Sequence, residues 1–107
     1  HSIRRRQRQM CIRDRQYAAK CSEFDGIILP TCPIMPPNLE RLESDNGYYV
    51  SQNLMALRNT RIGNLMGICS LTIPTTYNSC GLSIMALPNR EEKLLSLGKA
   101  AEMAILK

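Results

Sequence analysis

Histidine is nearly missing from this chain, occurring once, as His1. No histidine-based catalytic triad can be assembled from it. The cysteines show no C-x-x-C pair and have no neighbouring histidine, so the usual metal-ligand spacing is absent and no metal centre is expected. The glycines Gly63, Gly67 and Gly81 form neither a G-x-G-x-x-G nor a P-loop pattern. No apolar run approaches the ~20 residues needed to span a bilayer. No charged-then-apolar leader pattern is visible either, so the expectation is a cytoplasmic chain with no membrane partner. Acid/base candidates are also thin. Asp25, Glu40, Glu43 and Asp45 lie near turns or loops, and Lys20, Lys93, Lys99 and Lys107 follow no strand in a way that suggests a buried base.

What is present is globular. Hydrophobic residues make up 44% and charged residues 21% of 107 positions, enough for one domain that buries roughly 60–70% of its unfolded surface. The net charge of +5 invites a nucleic-acid reading, but its distribution argues against one. Arg4, Arg5, Arg6, Arg8, Arg13 and Arg15 fall in the first fifteen residues against Asp14 alone, and the remainder carries eight basic and eight acidic residues. No nucleic-acid partner is expected of the body of the chain.

Those first fifteen residues call for their own explanation. On composition they are a solvated, disordered basic arm. Arg5 to Asp14, RRQRQMCIRD, is also what CGTCGGCAGCGTCAGATGTGTATAAGAGAC encodes, a string similar to a transposase-end adapter of sequencing libraries. The expected organisation is therefore an adapter-derived, disordered stretch over 1–15 and the protein proper over 16–107. Cys21, Cys32, Cys69 and Cys80 are expected as reduced, small apolar core residues.

Gln16 to Glu23 reads as the end of a helix. Ile27-Ile28-Leu29 follows as a strand buried on both faces, stopped by Pro30. The prolines at 30, 33, 36 and 37 make Thr31 to Asn38 an extended loop. Leu39 to Tyr49, with its Ser44-Asp45-Asn46-Gly47 cluster, reads as a surface loop with at most one helical turn. Ser51 is placed as the N-cap of a helix over Gln52 to Met66, with Arg58 to Arg61 interrupting its apolar stripe. Ser70 to Thr75 and Leu82 to Leu87 read as strands joined by a hairpin. Asn89 with Glu92 suggests a capping box opening a last helix. The fold class is α/β, and three strands with so few helices suggest a piece of a larger sheet.

Asn64-Leu65-Met66-Gly67-Ile68-Cys69-Ser70-Leu71-Thr72-Ile73-Pro74 resembles the N-x-x-G-x-P-A-x-S-x-P block of the amidase signature family. Phe24 to Thr31 with Pro33 resembles its FD-hydrophobic-PT-x-P strand, Gly81-Leu82 the start of its last strand, and Glu92, Leu94, Leu95 and Glu102 its closing helix. The matches fall in the family's order. Cys69 stands where the block has proline, and Ser79 or nothing where proline precedes the last strand. Leu57 aligns with the aspartate of the glutamine-specific members, which argues against that role.

The resemblance implies the C-terminal part of an α/β/α fold, a mixed sheet covered by helices, incomplete in this chain. It implies an amide hydrolase acting on a small-molecule amide through an acyl-enzyme on a Ser–cis-Ser–Lys triad, without cofactor. The triad lies upstream in the family, so no catalytic residue is assigned here. Thr31 and Cys32, and Arg58, Asn59 and Asn64, are the expected pocket-wall residues; Gly67, Pro74 and Gly81 are structural. Loop structure, backbone capping and a solvated face remain the simpler roles for the pocket residues. Gly67 is there for close packing or for a special backbone conformation. A non-catalytic interaction module using the last helix, and a basic-arm nucleic-acid binder, are the rival readings.

Overall fold

Three apolar runs pair into one antiparallel sheet in the order β1-β3-β2, where β1 is Ile27–Pro30, β2 is Cys69–Pro74 and β3 is Gly81–Ala86. The computed structural model describes residues 2–106. The helices are α1 (Ser2–Cys21), α2 (Leu39–Ser44), α3 (Asn46–Ala56), α4 (Thr60–Met66) and α5 (Glu91–Ile105). The architecture is mixed α/β, as the strand and helix patterning predicts.

The register assigns the sheet faces. Ile28 and Leu71 both pair with Ile84, so these three share one face, while Leu29 and Thr72 pair with Ser83 on the other. Helix α5 lies on the Ile84 face. Leu94 is buried there with Ile73, Ile84 and Ala86, and Leu71, Ala101 and Ile105 close around them. Gly98 lets α5 approach β2 closely, since a Cβ at this position would overlap the end of Leu71. β3 is the centre of the molecule, with Ser83 through Ala86 buried in succession.

Edge position changes the reading of β1. Its exposure alternates, and Ile28 is 67% exposed rather than buried on both faces. The reason is that α5 packs over β2 and β3, leaving the edge strand uncovered.

The segment expected as a surface loop is helical. Asn38, at the end of the expected extended loop, and Asp45, read as a turn former, act as caps: Asn38 Oδ1 accepts from the Arg41 N–H (3.0 Å) at the start of α2, and Asp45 Oδ1 accepts from the Tyr48 N–H (3.1 Å) at the start of α3. Arg41 stacks on the Tyr48 ring at 3.9 Å, and the Asn38 N–H donates to Tyr48 Oη at 3.2 Å, fixing the corner between the two helices. Ser51 therefore lies inside α3 and caps nothing. The helix expected over 52–66 is broken at 57–59, where the Thr60 hydroxyl donates to the Leu57 carbonyl at 3.2 Å. The polar interruption at Arg58 to Arg61 marks that break.

Two further expectations differ. Asn89 adopts φ 66° and does not cap α5; Arg90 occupies that position with no side-chain cap bond. At the other end, Ser2–Cys21 forms one helix where a disordered arm is expected over 1–15. The stretch has no glycine or proline and is rich in Arg and Gln, which are good helix formers. Cys32 and Cys80 are exposed, not core residues. Gly67 ends α4 at φ 63°, and a Cβ there would touch nothing within 4 Å, so its requirement is conformational and not one of packing.

Candidate functional site

The loop leaving β1 and the hairpin entering β3 meet at one end of the sheet. The Thr31 N–H donates to the Gly81 carbonyl at 3.0 Å, prolonging the β1–β3 ladder past Pro30. The Thr31 hydroxyl is 2.7 Å from the Ser83 hydroxyl, which is also 3.2 Å from the Thr72 hydroxyl. Ser83 is 2% exposed, so this chain of three hydroxyls replaces the water its oxygen would otherwise require. It ties all three strands together across the face opposite α5.

A second set of bonds holds the helical break against the same strand end. Asn59 Nδ2 donates to the Pro30 carbonyl at 2.7 Å, and the Cys32 thiol donates to the Ala56 carbonyl at 3.5 Å. Of the sequence-predicted pocket residues, Thr31, Cys32 and Asn59 are thus brought together around Pro30. Arg58 is exposed at the α3–α4 break, and Asn64 is exposed on α4. Asn59 precedes α4 but makes no side-chain cap bond, and its amide is spent on the strand end. Pro74 closes β2 opposite Gly81. Ser83 and Thr72 were not singled out from sequence. A serine within the apolar run Leu82 to Leu87 is the signal that points to a buried hydroxyl needing partners.

Beyond the strand end lies an open cleft of about 140 Å³ between the Thr31-to-Met35 loop and the hairpin, and none of its lining side chains is charged. The hairpin turn is braced by Thr75, whose hydroxyl donates to the Cys80 carbonyl at 2.7 Å, and Ser79 takes φ 62°.

Titratable groups with displaced affinities sit away from this end. The hydrogen bond from Lys93, reinforced by its charge, holds the Asp25 carboxyl below the usual carboxylate range; both side chains are largely exposed. Burial, with a lesser contribution from Cys21, pushes Tyr17 up to about 12. Neither faces the hydroxyl chain. Hydroxyls without an adjacent base can orient a group but cannot deprotonate one. The hydroxyl chain holds the loop to the sheet and contains no base. No cluster of three or more His, Cys, Asp or Glu side chains suited to a metal occurs among the described residues, and no helix among them is long and apolar enough to cross a membrane.

Gly67, which turns a helix into a strand, and Thr31, which closes a strand end, both lie within the stretches the sequence motifs mark. The Amidase family model matches residues 2–95. Among curated proteins, the 2-amino-5-chloromuconic acid deaminase of Comamonas testosteroni is similar, with 33% identity over 87 residues. That alignment covers 78% of this chain and 19% of the relative, so the chain spans about a fifth of the length of the protein it matches. No solved structure matches it. The chain belongs to the amidase family.

Proposed function

We propose that these residues are a C-terminal segment of an amide hydrolase that converts a small-molecule carboxamide to a carboxylate and ammonia or an amine. The observation that carries this reading is the family match over residues 2–95, joined to coverage of 19% of the relative's length. In this reading the Ser–cis-Ser–Lys triad belongs to the upstream part of the enzyme, and the segment supplies sheet strands and part of the pocket wall. Thr31 and Cys32 at the strand end, and Arg58, Asn59 and Asn64 around α4, are the wall residues. The bond from Asn59 to Pro30 supports grouping the first two with Asn59. The relative is by name a deaminase of 2-amino-5-chloromuconic acid, so loss of ammonia from an amino-substituted acid is a natural first assay.

The origin of residues 1–15 in an adapter belongs to the same proposal. The family match begins at residue 2, within that stretch, so the source DNA decides: a gene continuing through this point without adapter sequence refutes it.

The functional test follows ammonia release from a panel of carboxamides, with the purified chain beside a longer product of the same gene that carries the upstream serines and lysine. Turnover is expected only from the longer product. Turnover by this chain alone would refute the placement of the triad, and an inactive longer product with an intact triad would refute the amidase reading.

A further inference from the structure

The cleft at the strand end is lined by three sulfur-bearing side chains from two distant parts of the chain. Cys80 Sγ lies 3.9 Å from Met35 Sδ across the cleft, and Cys32 lines the same cleft from the β1 side, its thiol donating to the Ala56 carbonyl at 3.5 Å. Cys32 and Met35 are three positions apart on one loop, and Cys80 arrives from the hairpin. A search for cysteine pairs or histidines in sequence cannot see such a set, because one donor is a thioether and another is nearly fifty positions away.

We propose that Cys32, Met35 and Cys80 form a binding site for a soft monovalent cation, Cu(I) or its analogue Ag(I). Two thiolates and a thioether are the donors that select Cu(I), whereas harder divalent ions favour imidazole, carboxylate or water. The spacing suits it. Metal–thiolate bonds of about 2.3 Å arranged trigonally put their sulfurs about 4 Å apart, which is the Cys80–Met35 separation already present. The charge is manageable: no charged side chain lines the cleft, one thiolate balances the cation, and the single negative charge left by the second is solvated, since Cys32 and Cys80 are exposed. On binding, each thiol releases its proton to solvent and forms a sulfur–metal bond, and the neutral thioether donates a lone pair. No electron is transferred.

The segments that carry the donors are held in place beforehand, and Cys32 exchanges its long bond to the Ala56 carbonyl for the metal. The Thr31–Gly81 and Thr31–Ser83 bonds fix the loop to β3, and the bond from Thr75 to the Cys80 carbonyl fixes the turn. Two other cysteines are differently engaged. Cys69 is half-buried with its thiol against the Ala86 and Leu87 carbonyls, and Cys21 interacts with Tyr17.

The test uses the whole chain, oxygen-free and under ascorbate, titrated with Cu(I) in competition with bicinchoninate; Ag(I) serves as a probe that needs no reductant. One tightly held Cu(I) is expected, retained in a variant carrying Cys11→Ser, Cys21→Ser and Cys69→Ala. Affinity should fall as pH drops, because protons compete for the thiols. Cys80→Ser should weaken binding by more than the roughly 10- to 100-fold that loss of a supporting partner costs a metal site, and Met35→Leu by about tenfold at least. X-ray absorption should show sulfur scatterers alone. Circular dichroism checks that each variant keeps its fold, and Cys80→Ala and Met35→Ile stand in for any that does not. Copper that survives Cys80→Ser or Met35→Leu unchanged, that follows Cys11 or Cys21, or that is displaced by equimolar Zn(II), overturns the proposal.

Discussion

Gly67 is a residue whose value lies wholly in its backbone. With φ at 63° and open space where a Cβ would be, Gly67→Ala should cost about 1–2 kcal/mol, and Gly67→Asn less, since Asn tolerates this conformation. Urea denaturation of the two variants checks the order; equal losses would mean that something other than the dihedral is at stake. Ser83 is the opposite case, a side chain whose value lies in its partners. Ser83→Ala leaves the Thr31 and Thr72 hydroxyls without their shared neighbour, at a cost of about 1–3 kcal/mol. The loss should be local as well as global: the Thr31 amide, bonded to Gly81, should exchange with solvent faster. Unchanged exchange at Thr31 would show that the hydroxyl chain does not hold the loop.

Among the elements, α5 and β2 are matched through one missing methyl. Alanine in place of Gly98 gains about 1 kcal/mol in helix propensity but pushes into the end of Leu71, and overpacking costs about 1–3 kcal/mol. Gly98→Ala alone should therefore be neutral to destabilising. In a Leu71→Ala background the clash is gone, and the same change should stabilise. A thermal double-mutant cycle that shows no change of sign would contradict the contact. The Asp25–Lys93 pair also joins elements, the turn before β1 to α5. Because the folded carboxyl is held low, its contribution is present above the unfolded carboxylate value and fades as pH falls through the lowered one. Asp25→Asn should flatten the acid side of the Tm–pH curve, and added salt should erase the difference because both groups are exposed. A slope equally steep in the variant would assign the acid sensitivity elsewhere.

The strands and their hairpin were legible in sequence because short apolar runs such as Ile27 to Leu29, or Leu82 to Leu87 with Ser83 alone interrupting, are bounded by proline and turn residues. The family motifs located Thr31 and Gly67. What was hidden is long-range. Asn38 and Asp45 are equally good as turn residues and as caps, and only the docking of Arg41 on Tyr48 decides between them. The break at 57–59 shows in the polar run at Arg58 to Arg61, which in sequence is only an interruption of an apolar stripe. Ser83 finds Thr31 across fifty-two positions, and Cys80 finds Met35 across forty-five; no local pattern encodes either meeting.

As a whole the molecule is a thin slab, 51 × 44 × 17 Å, with a radius of gyration of 16.8 Å against about 13 Å for a compact chain near this length. Its thickness fits a sheet and one layer of helix. The buried apolar set is Ile73, Ile84, Met85, Ala86 and Leu94, while Phe24, Ile28, Leu54, Leu57, Leu65 and Leu95 are among the large side chains left exposed. Exposed apolar side chains, where they are contiguous, mark surfaces that associate with other protein. On its own the chain should bind a hydrophobic dye and self-associate with rising concentration in sedimentation runs. A compact, dye-silent monomer would favour the interaction-module reading over a segment of a larger enzyme.

The strand order carries a consequence for how the chain is made. β3 lies between the other two strands, yet it is the last of the three to be synthesised. Within these residues β1 finds its partner strand only once Ala86 has been made. Until then β1 and β2 lack the strand that joins them here, and a second nascent copy can compete for their edges. Closing so long a loop is also the slow part of sheet formation. Synthesis rate near the hairpin, and any chaperone that occupies β1 in the interval, should therefore set the yield of folded protein more strongly than substitutions in α1 or α2, which lie outside the sheet.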